Sequence, residues 1–240
     1  IYNLTNELAD TYNVYVAYSV RDQTPENFKE YFNENINLIE VQNFKREINI
    51  ISDIKASFEL KAITKKIDPD IIHLHSSKAG AIGRVLFNSK KTPLFYTPHG
   101  YSFLINDNWL KSKFYKLIEL GLSKLSCTTI SCSQGEYEQT SKMTQKSLLV
   151  NNGINISELE NTVTINNLSK PKNRQRTVFT LGRITQQKNP FLFNQIAELM
   201  PNVKFLWIGD GELRHVLVAK NIEIKGWLNR EEALQIANQS

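Results

Sequence analysis

The chain has only two cysteines among its 240 residues. Cys127 and Cys132 stand five apart in one strand-like run. A pair so close and so apolar founds neither a disulfide framework nor a metal site, and it fits a reducing compartment in which both thiols are small buried hydrophobes. No apolar run reaches membrane length, which argues against a spanning helix. No signal peptide is visible, because the chain opens on the polar, helix-like segment 1–9, and Ile1 stands where an initiator Met would, so a trimmed or cropped start is expected. Zinc-finger spacing, a basic region with heptads and an aromatic RNA-binding signature are all missing. The net charge of +5 and pI near 9.0 therefore favour anionic partners without requesting nucleic acid, which is not expected. There is no acidic metal cage and no repeat at a solenoid period.

What the chain does have is alternation. Strand-like runs at 14–18, 36–41, 71–75, 94–97, 127–132, 147–150, 178–181, 203–208 and 222–224 are separated by amphipathic stretches such as 51–67 and 78–88. This is the pattern of a doubly wound, parallel α/β sheet, whose ligands gather at the carboxyl ends of the strands. The Asn-, Ser-, Lys- and Pro-rich stretch 155–176 reads as an interdomain connection, dividing the chain into units 1–165 and 166–240. With 41% hydrophobic residues a core is available to two modest domains.

One segment concentrates chemistry. Leu181-Gly182-Arg183 through Lys188-Asn189-Pro190 follows the apolar run Val178–Leu181, expected as a buried strand, and precedes a helix-like stretch with Phe191, Leu192, Ile196 and Leu199 at helical spacing. Asn189 suits the cap and Pro190 the first turn. A glycine turn, a planar guanidinium, a movable ammonium and a helix N-terminus at one point form a recipe for holding two linked phosphates. Spacing alone equally fits two solvated loop cations.

Further along and further back, six motifs occur in order: 67–76 (Ile-Asp-Pro-Asp-Ile-Ile-His-Leu-His-Ser), Thr97-Pro98-His99-Gly100, Ser131-Cys132-Ser133, Asn152-Gly153-Ile154, Leu181 through Lys188, and Ile208-Gly209-Asp210-Gly211-Glu212. In this set the chain resembles GT-B glycosyltransferases of family 4 along nearly its whole length. The resemblance implies two Rossmann-like doubly wound domains and retaining transfer of a sugar from a nucleotide-diphosphate donor. It implies that Arg183 and Lys188 clamp the diphosphate and stabilise the leaving group without a metal or other cofactor. His99 would contact the donor sugar at the reaction centre, and Gly182, Gly209, Asp210, Gly211 and Glu212 would border the donor pocket, the glycines permitting close approach of a base or ribose.

On the acceptor side stand His75, Ser76, Ser77 and Lys78, at a strand-to-helix turn, with Gly100 and Tyr101; either serine equally suits a simple helix cap. Strand alternation marks His73 as a packing residue. The stretch 109–122 combines an apolar stripe with Lys111, Lys113 and Lys116. It suits either packing on the sheet, which is favoured, or an anionic bilayer surface.

Two departures from the family matter. Its first strand and glycine-rich turn are missing before Ile1. Its acidic pair, two glutamates seven apart, does not occur before Ser240, and the adjacent Glu231 and Glu232 do not replace it. The second domain is thus expected to be incomplete and the chain to be a fragment, inactive alone. The expected whole is a cytoplasmic, membrane-associated bacterial transferase acting on a lipid-linked glycan in surface polysaccharide or capsule synthesis. The alternatives are a noncatalytic sugar-nucleotide-binding or scaffolding module and, within enzymes, a sugar-nucleotide epimerase.

Overall fold

The computed structural model describes residues 1–21, 24–45, 48–105, 108–153, 156 and 176–239. The chain divides into two compact units, Ile1–Gly153 and Ile154–Ser240. Most of the expected connection, with the 165/166 junction inside it, lies outside the described residues, as does Ile154.

In the first unit α1 (Tyr2–Ala9), β1 (Tyr15–Tyr18), β2 (Asn37–Glu40), α2 (Ile50–Ile67), β3 (Ile72–His75), α3 (Ser77–Leu86), β4 (Leu94–Thr97), α4 (Ser102–Ile105), α5 (Trp109–Leu122), β5 (Thr128–Ser131), α6 (Gln134–Ser141) and β6 (Ser147–Leu149) follow in order. All strand pairings are parallel: β1 with β2 as one sheet, and β3-β4-β5-β6 as another. Helix α2 starts where the Asn49 side chain accepts the Ser52 N–H and ends at left-handed Asp68, which Pro69 then keeps from continuing.

The core of this unit is Leu74, Leu94, Tyr96, Tyr101, Phe103 and Cys127. Helix α3 lies so close to the sheet that a Cβ on Gly80 would fall 2.2 Å from the Tyr96 ring and one on Gly83 2.4 Å from Leu74. Cys127 is buried, as its apolar setting required, and burial pushes its thiol up to about 11.

The second unit contains β7 (Thr177–Leu181), α7 (Pro190–Leu199), β8 (Lys204–Ile208), β9 (Ile222–Gly226) and α8 (Arg230–Gln239), with the parallel order β7-β8-β9. Central β8 is buried through Phe205, Leu206, Trp207 and Ile208. Phe193 of α7 meets the Phe205 and Trp207 rings edge-on at 5.4 and 4.9 Å. Strand β7 departs from the expected buried strand: it pairs with β8 alone among the described residues, and Val178, Phe179 and Leu181 stay exposed. The apolar run correctly marked a strand, but these side chains are not buried.

Candidate functional site

At the end of β7 the chain turns at Gly182, whose φ of +145° suits a residue without a Cβ. The next residue but one, Ile184, is fully buried and anchors the loop, donating to the Asp210 carbonyl at 3.0 Å and accepting from Leu213 at 3.2 Å. Arg183 is thereby left outward. A 3₁₀ turn, Gln186–Lys188, intervenes before the helix, which the sequence did not announce. It folds Lys188 back: a Cβ on Gly182 would meet Lys188 Cε at 3.3 Å and Nζ at 4.0 Å. Asn189, left-handed at φ 49°, then caps α7 by accepting the Leu192 N–H at 3.2 Å, with Pro190 in the first turn as expected. Among the described residues neither Arg183 nor Lys188 has an ion pair or a side-chain hydrogen bond, and both are exposed. Two uncommitted cations beside a capped helix N-terminus form an open seat for an anion.

The loop after β8 packs against the turn after β7. A Cβ on Gly209, at φ +137°, would lie 2.2 Å from the Gly182 carbonyl oxygen, and one on Gly211 would lie 2.4 Å from that of Ile184. These glycines allow a close approach of the 182–184 backbone. Asp210 accepts from the Gly211 N–H at 2.8 Å and pairs with Arg214 at 2.9 Å, while Glu212 is exposed.

In the first unit, three histidines cluster: His73 within β3, His75 at its carboxyl end and His99 just after β4. His75 Nδ1 and His99 Nε2 are 3.0 Å apart, one of them carrying the hydrogen, and the rings stack at 5.2 Å. His73, expected in packing, instead shares the open face of β3 with His75, their ring centroids 4.0 Å apart, and hydrogen-bonds Thr97 Oγ1 at 2.8 Å. Leu74, between them, is the residue that faces the core. His73 is exposed by area, yet its ring is flanked by His75 and Phe95. Desolvation first, and the neighbouring imidazoles second, lower His73 to about 4 and His75 to about 3; His99 is lowered by burial first. Each of these shifts favours the neutral ring. Cys132 Sγ lies 3.8 Å from His99 Nδ1, its thiol pushed up by burial and by Glu136.

Ser76 occupies the N-cap of α3 at φ 81° without a side-chain capping bond, and Ser77 Oγ accepts from Ser102 at 3.1 Å, so neither hydroxyl is seen capping the helix. Lys78 pairs with Asp53 at 2.6 Å and donates to the Lys45 carbonyl at 2.7 Å, tying α3 to α2. Tyr101 is part of the core, its hydroxyl bonded to Thr140 at 2.8 Å, so it supports the loop from beneath and cannot face an acceptor. Sequence reasoning missed Glu136: its carboxylate accepts the N–H of Gly100 and of Cys132, each at 2.7 Å. The spacing Ser133-x-x-Glu136 after a strand was its available signal.

Helix α5 also differs from the favoured expectation. Ser112, Tyr115 and Glu119 form its inward face, whereas Leu110, Phe114 and Leu117 are 67%, 57% and 67% exposed. The apolar stripe lies outside.

Two parallel α/β units in series, the later one opening with a cation-bearing glycine turn, have the GT-B architecture. The family model described as Glycosyltransferase Family 4 matches residues 1–158. The chain belongs to that family. It is 28% identical to an Escherichia coli UDP-Gal:alpha-D-GlcNAc-diphosphoundecaprenol alpha-1,3-galactosyltransferase, over 83% of this chain and 58% of that protein. It is 30% identical to an uncharacterized 41.2 kDa protein in the cps region of Klebsiella pneumoniae, over 79% of this chain and 57% of that protein. The chain thus spans a little over half the length of these curated relatives. The fold is shared with sucrose-phosphate synthase from Thermosynechococcus elongatus (TM-score 0.74, 15% identity, 98% of this chain, 65% of that one). It is shared too with Anabaena HepE solved in complex with UDP and glucose (TM-score 0.66, 13% identity, 98% and 67%).

Proposed function

We propose that the protein is a retaining glycosyltransferase that moves a sugar from a nucleotide-diphosphate donor to a lipid-linked glycan acceptor in bacterial surface polysaccharide synthesis. The observation that carries this reading is the seat formed by Arg183, Lys188 and the N-terminus of α7, where both cations are uncommitted. Developing negative charge on a leaving diphosphate is stabilised there by fixed charge and helix dipole, with no step that requires a metal. His99 is assigned to the sugar being transferred. Burial lowers its affinity for a proton, which favours the neutral ring that can give or accept a hydrogen bond at the strand end.

A lipid-linked acceptor is supported by the relative that acts on a diphosphoundecaprenol-linked sugar and by the outer face of α5. There Leu110, Phe114 and Leu117 stand beside Lys111, Lys113 and Lys116, and Lys113 lies 4.2 Å over the exposed Trp109 ring. The one acidic residue of that helix, Glu119, is turned inward and paired with Arg84. The face suits an anionic bilayer, apolar side chains entering the headgroup boundary and lysines meeting the lipid charge. No helix among the described residues is long and apolar enough to cross a membrane, so the attachment proposed is peripheral, from the cytoplasmic side where activated sugars are supplied.

A thermal-shift screen of nucleotide sugars against the full-length protein tests the donor assignment. A stabilising sugar nucleotide is expected whose effect falls in both Arg183→Ala and Lys188→Ala. A shift untouched by either substitution removes the diphosphate seat.

A further inference from the structure

We propose that Glu136 is the positioning residue of the histidine cluster: one buried carboxylate holds the backbone of Gly100 and of Cys132 and thereby fixes His99. Oxygen Oε1 accepts the Gly100 N–H at 2.7 Å and Oε2 the Cys132 N–H at 2.7 Å. The first of these follows β4 and the second follows β5, so a side chain on the first turn of α6 spans the ends of two neighbouring strands. Both oxygens accept amides whose places in the chain leave them without a sheet partner.

The backbone being held needs a reason to exist. His99 sits at φ 54° and Gly100 at φ 94°, two consecutive left-handed residues. A non-glycine residue in that region costs about 1–2 kcal/mol and persists only where its surroundings impose it. The charge-assisted bond to Gly100, immediately after His99, is an imposing contact of the right strength and place. The carboxylate itself is stabilised at the start of α6, where Ser133 caps the helix by accepting the Glu136 N–H at 3.3 Å. Beneath it Thr140 receives Tyr101 and Ser131, each at 2.8 Å, so the helix that carries Glu136 is locked to both strands.

The same carboxylate acts on the proton of His99. The groups facing that ring are His75 from β3, Cys132 from the turn after β5 and Glu136 from α6. Burial lowers the affinity of His99 for a proton, and Glu136 opposes it. With the anion removed, His99 must bind its proton still more weakly.

Titration of the His99 imidazole by NMR, in the chain and in Glu136→Gln, tests this without requiring catalysis. Its catalytic meaning rests on the assignment of His99 to the sugar, but the titration does not. The His99 midpoint is expected to fall in Glu136→Gln and to stay in place in Glu138→Gln, an exposed carboxylate two residues further along α6. A folded Glu136→Gln with an unchanged His99 midpoint overturns the proposal. Amide exchange in the unsubstituted chain decides the case if that variant does not fold: Gly100 and Cys132 are expected to be protected, and rapid exchange at either overturns the proposal. In the active transferase, Glu136→Gln is expected to lower kcat by about 10- to 100-fold with KM nearly unchanged, whereas parallel losses of both, tracking loss of folded protein, would mark a merely structural glutamate.

Discussion

The guanidinium of Arg84 lies 2.8 Å from the carboxylate of Glu119, the two side chains only 2% and 7% exposed. Arg84 also donates to the Gly80 carbonyl and stacks 4.2 Å over the Tyr96 ring, while Tyr96 donates to Glu119 at 3.1 Å. One buried pair thus joins α3, β4 and α5. Glu119→Ala strands a buried charge and is expected to cost about 3–5 kcal/mol in chemical denaturation. Replacing both members with Met and Leu should recover much of that loss.

The turn carrying Arg183 and Lys188, if it seats the proposed diphosphate, separates binding from stability. Arg183→Ala and Lys188→Ala remove exposed, unpaired cations, so the melting temperature should hold. Transfer assays should show kcat reduced by roughly 10²- to 10³-fold for each, the scale seen when a preorganised charge or donor at a leaving group is deleted.

Glycine positions should diverge sharply. Gly209→Ala places a Cβ 2.2 Å from the Gly182 carbonyl at φ +137°, and the backbone strain alone is worth roughly 1–3 kcal/mol. Gly121→Ala in α5 meets nothing within 4 Å and should stabilise the helix by about 0.5–1 kcal/mol. Melting curves of the two variants give the comparison directly.

Acid should weaken the first unit. His73 and His75 have pKa values of about 4 and about 3 in the folded chain against 6.5 for a free imidazole. Between these limits the unfolded chain binds more protons, so stability rises with pH and falls as pH drops from about 6.5 towards 3. His73→Gln with His75→Gln should flatten the slope of melting temperature against pH between 6.5 and 4.

Sedimentation with vesicles tests the outer face of α5. Phe114→Ser with Leu117→Ser should reduce binding to vesicles containing anionic lipid by about tenfold or more, since each large apolar side chain buried contributes about 1.5–3 kcal/mol. Neutral vesicles or high salt should weaken the unsubstituted chain as well.

Nine strand positions were legible because short β-branched and aromatic runs bounded by turn residues carry a local signal, and the cap at Asn189 and Pro190 was legible for the same reason. The rest depended on distant partners. His73 was misplaced because alternation divides a four-residue strand into two faces without saying which is inward. The stripe of α5 was expected inward by its hydrophobicity, but Arg84 draws Glu119 into the core and turns the helix accordingly. The glycines at 209 and 211 advertised a close approach without naming what approaches, and Glu136 acts on backbone 36 residues away.

The carbonyl of Gly182 both abuts Gly209 and receives the indole N–H of Trp207 at 2.8 Å, from the middle of the central strand. The turn presenting the two cations is therefore tied to the buried central strand of its unit. Anyone seeking to retarget such an enzyme to another activated sugar will find this corner intolerant of redesign, and will do better to vary side chains around it than to remodel its path.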